Sequence, residues 1–140
     1  MPERYAFNTQ IPVRIYDVNY GNHLGNDAIV SIMQEARLQF LKSIGCSELD
    51  LFGASLIQAD TTVVYKSEGF YGDVLTVDVQ PAEFTKAGFD LYYRIINQND
   101  KLVANAKTGM VCFDYNARKI VPVPEKFSQL FNQPPDESTK

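Results

Sequence analysis

One long amphipathic helix, set among short strands, is the feature that most constrains the fold of this chain. Apolar side chains recur three and four residues apart between Asn26 and Ser43, which places them in one stripe. The stripe consists of Ile29, Ile32, Met33, Ala36 and Phe40. Asn26 is the expected N-cap and Gly45 the expected C′ residue. A helix of this kind must bury its stripe against a second layer of structure.

Extended segments supply that second layer. A period-two pattern predicts one strand before the helix, over residues 9–16, and Pro12 favours a sheet edge for it. Four further strands are predicted after the helix, over residues 56–66, 74–84, 89–97 and 101–114. Strands joined without intervening helices favour antiparallel pairing. We therefore predict an α+β fold in which an antiparallel sheet of about five strands wraps around one long central helix.

The length of 140 residues fits one domain. We assign the domain to residues 5–131, with one short helical turn at its end, and predict a disordered C-terminal tail over residues 132–140. A sheet of this kind keeps exposed edges, and pairing with a second copy would cover one of them. The chain is therefore expected to form a homodimer, with a homotetramer as a further assembly.

Charge and composition exclude several classes of function. With 13 Lys and Arg against 17 Asp and Glu, the chain carries a net charge of −4 and lacks the basic surface of a non-specific nucleic-acid binder. Residues 1–10 lack the apolar core of a signal peptide, and no apolar run approaches the ~18 residues that span a membrane. Cys46 and Cys112 form no metal-binding motif and are expected to be reduced thiols. We expect a cytoplasmic protein that uses neither a metal nor another cofactor.

The densest run of reactive side chains lies between the first strand and the helix. It contains Asp17, the only histidine, His23, and several amides and glycines. Free N–H groups at the helix start, around Leu24 to Asn26, could hold a polarised carbonyl oxygen. A nearby carboxylate could attack the carbonyl carbon or activate a water. This combination favours acyl transfer to water, although Asp17 could instead cap the turn and His23 could be structural.

The same run resembles the signature of a known family. Residues 13–26, followed by Glu35-Ala-Arg37, resemble the opening of the 4-hydroxybenzoyl-CoA thioesterase-like family of hotdog-fold proteins. In that signature an Asp precedes a His and an Asn, and Glu-x-Ala-Arg follows in the helix. Phe70-Tyr-Gly-Asp73 resembles the second landmark of the family, a turn before an outward strand.

The resemblance implies a hotdog fold and hydrolysis of an acyl-CoA or acyl-carrier-protein thioester. Asp17 matches the position of the catalytic carboxylate of the family, and backbone N–H groups near it would polarise the thioester carbonyl. Glu35 is a reserve catalytic residue, because in some hotdog thioesterases the acid lies on the helix. The implied substrate-binding residues are His23, Leu24, Gly25 and Asn26. Cations that could meet the phosphates of coenzyme A are Lys66, Lys86, Arg94 and Lys107.

Several positions depart from the family pattern. Asn19 replaces the second Asp of the signature, and Asn22 replaces the Gly before the His. Gly25 replaces the first Asn of a pair, and Ile29 replaces an aromatic residue. These changes leave open an alternative function, a hotdog protein that binds acyl thioesters without turning them over.

A weaker alternative is a hotdog enoyl-CoA hydratase. The motif of those enzymes is Asp-x-Asn-Pro-x-His, and Asp17-Val-Asn19 begins in the same way. Tyr20 then stands where the motif has Pro, and His23 falls one residue too late. A shift of one residue in a turn points the imidazole in another direction, which disfavours this function.

Overall fold

An antiparallel sheet packs around the long helix α1 (Asn26–Ser43). Its strands are β1 (Phe7–Pro12), β2 (Ser55–Tyr65), β3 (Val74–Ala82), β4 (Gly88–Ile96) and β5 (Leu102–Asp114). They lie in the order β1-β3-β4-β5-β2, and a short β6 (Lys119–Ile120) pairs with β5 before helix α2 (Glu125–Phe131). The computed structural model describes residues 2, 4–19, 21 and 23–132.

The predicted stripe of α1 forms the centre of the core. Each of its five side chains is at most 2% exposed, as the spacing indicated. Facing side chains come from alternate positions of the sheet: Leu75, Val77, Val79, Leu91, Tyr93 and Ile95, all 0% exposed. Burial of a large apolar side chain contributes about 1.5–3 kcal/mol, so this contact between helix and sheet is the main source of stability.

The two ends of α1 follow different rules. The predicted N-cap was wrong by one residue, because Gly25 has extended backbone angles (φ −71°, ψ 152°) and Asn26 is the first helical residue. At the other end Gly45 adopts φ +75°, and the N–H groups of Gly45 and Cys46 donate to carbonyls of the last turn. This is the predicted glycine C′, in a Schellman motif.

The first strand is shorter and earlier than predicted. It ends at Pro12 instead of continuing to residue 16, because the chain then turns and Ile15–Asp17 form a 3-10 turn. Among the described residues it pairs with β3 alone, so the edge position that Pro12 indicated is confirmed. The other four predicted strands differ from the observed ones by one or two residues at their ends. For example, β3 stops at Ala82 because Glu83 has a φ of +51°.

The C-terminal region matches the prediction of one short helix. In α2, Phe127 is 0% exposed and its ring lies 4.7 Å from that of Phe89, so the helix closes the end of the core. The predicted tail falls almost entirely on residues 133–140, which lie outside the described residues. Within the part of the chain that the structure describes, neither helix is long and apolar enough to cross a membrane.

Two β-bulges interrupt the pairing of β5 with its neighbours. In β2 the register shifts between Gln58 and Asp60, so Ala59 is an extra residue, and Asp60 Oδ1 accepts the Gly109 N–H at 2.7 Å. In β5 the register against β4 shifts at Val103. Bulges bend a strand locally and redirect its side chains and carbonyls.

Replacement of Phe40 by Ala tests the central contact. Because the ring is 1% exposed and packs against other aromatic rings, Phe40→Ala should lower the free energy of unfolding by about 3–5 kcal/mol. Urea denaturation followed by circular dichroism measures the change. Leu38→Ala is the matched control on the same helix: Leu38 is 42% exposed, and its loss should cost about 0.5 kcal/mol or less. Equal effects of the two changes would place the stripe outside the core.

Candidate functional site

The loop between β1 and α1 is organised around Asp17. The Asp17 side chain is 6% exposed, and both of its oxygens are bound by Arg14. Oδ2 accepts the Arg14 backbone N–H at 2.8 Å and Nε at 3.2 Å, while Oδ1 accepts Nη2 at 3.2 Å. Burial alone would raise the pKa of Asp17, but the hydrogen bonds and charge of Arg14 outweigh it and hold the pKa below its ordinary value. The carboxylate is therefore ionised at neutral pH.

Backbone hydrogen bonds tie this loop to the start of the helix. The Gly25 N–H donates to the Asp17 carbonyl at 2.9 Å, and the Leu24 N–H donates to the Gly69 carbonyl at 2.7 Å. These two N–H groups are therefore engaged, and the expectation that they polarise a substrate carbonyl is corrected. The N–H groups of Asn26 and Asp27 have no partner among the described residues. They lie at the positive end of the helix dipole.

A cavity of about 480 Å³ opens beside the start of α1. One wall comes from the loop and the helix, the other from the segment after β2, and the bulged Val103 contributes from β5. The carbonyl of Val103 accepts the N–H groups of Lys66 and Ser67, which fixes the second wall. The lining residues are Asn19, His23, Leu24, Asn26, Ile29, Tyr65, Lys66, Ser67, Glu68, Gly69 and Val103.

The two walls meet closely at Gly69. A Cβ atom at this position would lie 2.9 Å from Leu24 Cδ2, so a larger residue would push the walls apart. Beside this contact His23 forms a β-bridge with Phe70, and the two ring centroids are 5.2 Å apart. His23 Nδ1 lies 3.0 Å from Glu68 Oε2. The structure therefore brings the only histidine of the chain to the cavity.

The predicted site residues do not all meet at this cavity. His23, Leu24 and Asn26 line it, but the described lining does not include Asp17. Glu35 lies on the other side of α1, in a cavity of about 300 Å³ that it shares with Arg14 and residues of β1. In this conformation the Asp17 carboxylate points to Arg14, so its predicted catalytic role stays a prediction.

Other reactive groups of the chain are held in structural contacts. Arg37 is 4% exposed and donates to Glu48 at 3.3 Å and to the Tyr93 hydroxyl at 3.2 Å. Both cysteines are free, as expected, and burial raises the pKa of the Cys112 thiol to about 11. A thiol of this kind is not ionised at neutral pH and makes a poor nucleophile. In the described ranges, no group of three or more His, Cys, Asp or Glu side chains is placed to hold a metal ion.

The segment from Tyr65 to Gly69 is the part of the site that sequence reasoning missed, apart from Lys66. Tyr65 donates its hydroxyl to the Asn26 carbonyl at 3.3 Å, and Glu68 faces His23. Both lie far from the loop in sequence, so spacing could not connect them. The sequence feature that could have connected them is the landmark at residues 70–73. Its first residue, Phe70, pairs directly with His23, which brings the preceding segment to the loop.

Comparisons with known proteins agree with this architecture. The sequence matches the model of the thioesterase-like superfamily over residues 13–131, and the chain belongs to that superfamily. The predicted family resemblance is thereby confirmed, and membership supports thioester hydrolysis as the activity. No curated protein matches the sequence.

Solved structures show the same fold. A 1,4-dihydroxy-2-naphthoyl-CoA thioesterase from Synechocystis has a TM-score of 0.80 at 20% identity, covering 91% of this chain and 98% of that one. A protein from Aquifex aeolicus has a TM-score of 0.79 at 24% identity, with coverage of 89% and 98%. A Staphylococcus aureus protein in complex with CoA has a TM-score of 0.78 at 20% identity, with coverage of 92% and 82%. The predicted hotdog fold is confirmed.

Asp17 should stabilise the fold only while it is charged. Because its pKa is lower in the folded chain, the stabilisation is complete above the ordinary Asp pKa of about 4 and is lost as the pH falls through the lower, folded value. The difference in unfolding free energy between the wild type and Asp17→Asn should therefore shrink between about pH 7 and about pH 2. Urea denaturation at both pH values measures it, and a difference that stays constant would contradict the ion pair with Arg14.

Proposed function

We propose that this chain hydrolyses acyl thioesters of coenzyme A at the cavity beside the start of α1. The observation that carries the proposal is the unengaged N–H group of Asn26, a residue that lines this cavity at the positive end of the helix. Donors of this kind stabilise the oxyanion that forms when a thioester carbonyl is attacked. Among the lining side chains, Leu24 is half-buried and Tyr65 is 45% exposed, and both offer apolar contacts for an acyl group.

Asp17 is the carboxylate proposed to attack the acyl carbon or to activate water. Its position in the loop supports this role, since the Asp17 carbonyl is bound to the Gly25 N–H directly before the helix. Arg14 must first release the carboxylate. Only the guanidinium holds Oδ1, at 3.2 Å, and the Arg14 side chain is 65% exposed, so displacement of Nη2 into solvent would free this oxygen while Oδ2 keeps the Arg14 backbone N–H.

Lys66 is the cation that we propose for the phosphates of coenzyme A. It lines the candidate cavity and also a neighbouring surface cavity of about 340 Å³, so it stands between the two. Two other candidate cations already form ion pairs. Arg94 Nη2 lies 2.8 Å from an Asp78 oxygen, and Lys107 Nζ lies 3.6 Å from an Asp60 oxygen. Lys66 has no ion-pair partner among the described residues, which leaves its charge for a ligand.

A second candidate function is binding of an acyl thioester without turnover. The observation in its favour is the engagement of both Asp17 oxygens by Arg14, together with the departures at Asn19, Gly25 and Ile29. In this function the cavity and the N–H groups hold the ligand, and Asp17 only shapes the loop. An acyl-carrier-protein thioester could serve in place of acyl-CoA in either function, since both present the same phosphopantetheine arm.

We further propose that the domain, residues 5–131, acts as a homodimer in the cytoplasm. Strand β2 is a sheet edge, and residues 58–62 along it are exposed. Pairing of two β2 edges would satisfy their free backbone groups. Tyr65 lies at the end of this edge, 45% exposed, and lines the cavity, so a partner would complete one wall of the site. Free thiols at Cys46 and Cys112 fit a reducing compartment.

Hydrolysis is tested with a panel of acyl-CoAs, short aliphatic, long aliphatic and aromatic, in the presence of a thiol reagent. At least one member should release free CoA thiol. Asp17→Asn should lower kcat on that substrate by at least ~10²-fold, because the neutral amide is neither a nucleophile nor a base, with little change in KM. Calorimetric binding of the acyl-CoAs without thiol release would favour the binding function instead.

Glu35→Gln is the matched control for Asp17→Asn. It removes a carboxylate from α1 but lies away from the cavity, so turnover should stay near the wild-type rate. Loss of activity in Glu35→Gln with full activity in Asp17→Asn would move the chemistry to the helix. Full activity in both variants would rule out a carboxylate mechanism.

The proposed dimer is tested by sedimentation equilibrium at micromolar concentration. A mass of twice the 15.8 kDa of the chain is expected, because the open β2 edge finds its partner in a second copy. A monomer at that concentration would contradict edge pairing, and a mass of four chains would indicate the tetramer.

A further inference from the structure

The only histidine of the chain faces a carboxylate at the rim of the candidate cavity. His23 Nδ1 lies 3.0 Å from Glu68 Oε2. This nitrogen is buried and has no aligned hydrogen-bond partner among the described residues, so Glu68 is the acceptor within reach. The Glu68 side chain is 67% exposed, so its carboxylate is free to rotate beside this nitrogen.

His23 is held by contacts with Phe70 on one segment and with Asn19 in its own loop. Its ring packs against Phe70, with centroids 5.2 Å apart, across the β-bridge that joins the two residues. The His23 carbonyl accepts the Asn19 N–H at 2.8 Å, and the His23 N–H donates to Asn19 Oδ1 at 3.2 Å. The His23 backbone is thus fixed, and the contact with Phe70 restrains the ring itself, as a group that transfers protons requires.

The second ring nitrogen is available to a ligand. Nε2 also lacks a polar partner among the described residues, and the His23 side chain as a whole is 39% exposed. The ring lines the same cavity as Asn26 and Lys66. A carboxylate at Nδ1 favours the tautomer with the proton on that nitrogen and leaves Nε2 as a proton acceptor. A carboxylate on one nitrogen and a substrate cavity at the other is the arrangement of a general base.

We propose that His23 is a catalytic base for hydrolysis and that Glu68 is its positioning residue, which rests on the thioesterase function proposed above. A water oxygen bonds to the acyl carbon while its proton moves to His23 Nε2. The C–S bond then breaks, and Nε2 returns the proton to the leaving thiolate, so water and thioester give a carboxylic acid and a thiol. If the acyl group passes first to Asp17, the same base serves the water that releases it.

Kinetics of two variants test the catalytic role. His23→Ala should lower kcat by at least ~10²-fold with a small change in KM, and imidazole added to the buffer should restore part of the rate. Glu68→Ala should lower kcat by about 10-fold, less than the ~10⁴-fold effect of a buried triad carboxylate, because Glu68 is largely exposed. Glu125→Ala, an exposed carboxylate on α2, is the matched control and should keep the wild-type rate.

A spectroscopic measurement tests the pair without any substrate. Since the chain has one histidine, ¹⁵N-labelled histidine gives one pair of ring-nitrogen signals, which belong to His23. In alkaline buffer, where the imidazole is neutral, the wild type should show the proton mainly on Nδ1. Glu68→Ala should shift it towards Nε2, and Glu125→Ala should leave it unchanged.

The outcomes separate this inference from the proposed function. If the wild type hydrolyses a thioester but folded His23→Ala keeps its rate within about threefold, the base is not His23. If His23→Ala does not fold, Glu68→Ala decides, and an unchanged kcat with an unchanged tautomer overturns the proposal. If the wild type hydrolyses no thioester, the proposed function fails and the catalytic role of His23 fails with it.

Discussion

The burial of one helix stripe by one sheet is the constraint on which the rest of this structure depends. Because α1 is amphipathic along its whole length, the sheet must cover all of the stripe from Ile29 to Phe40. A sheet of long antiparallel strands can do so, and its two edge strands are β1 and β2. The same packing places the start of α1 beside the end of β2, where the cavity lies. The position of the site is thus a consequence of how the core is filled.

Sequence reasoning succeeded where one segment decides its own structure. The stripe, the bounds of α1 and the C′ glycine at Gly45 depend on residues within one helix, and all three were predicted. The N-cap was misplaced because Asn26 has the usual side chain of a cap, whereas the Gly25 N–H is held by the Asp17 carbonyl. That bond depends on how the loop closes, which local preference does not describe.

In the candidate site, too, the residues that are close in sequence were predicted and the contacts between distant segments were not. The loop and the first turn of α1 were found from sequence because the reactive side chains follow one another closely there. What could not be found is which groups are already engaged. Arg14 binds both oxygens of Asp17, and the Gly69 carbonyl accepts the Leu24 N–H. The groups predicted to attack the acyl carbon and to polarise the carbonyl therefore already have partners within the chain. Glu68 reaches His23 only because β2 and the loop are brought together by the fold.

The bulge at Ala59 affects how readily this chain can aggregate with other polypeptides. A strand edge is a template on which any extended polypeptide can polymerise, and a long regular edge is the most dangerous kind. In β2 the extra residue breaks the edge into two short stretches, residues 55–58 and 60–65, and places the Asp60 charge at the break. A regular foreign strand would gain only one stretch of hydrogen bonds before losing register, whereas a second copy of β2 carries the same break. The irregularity therefore protects the edge from amyloid-like growth.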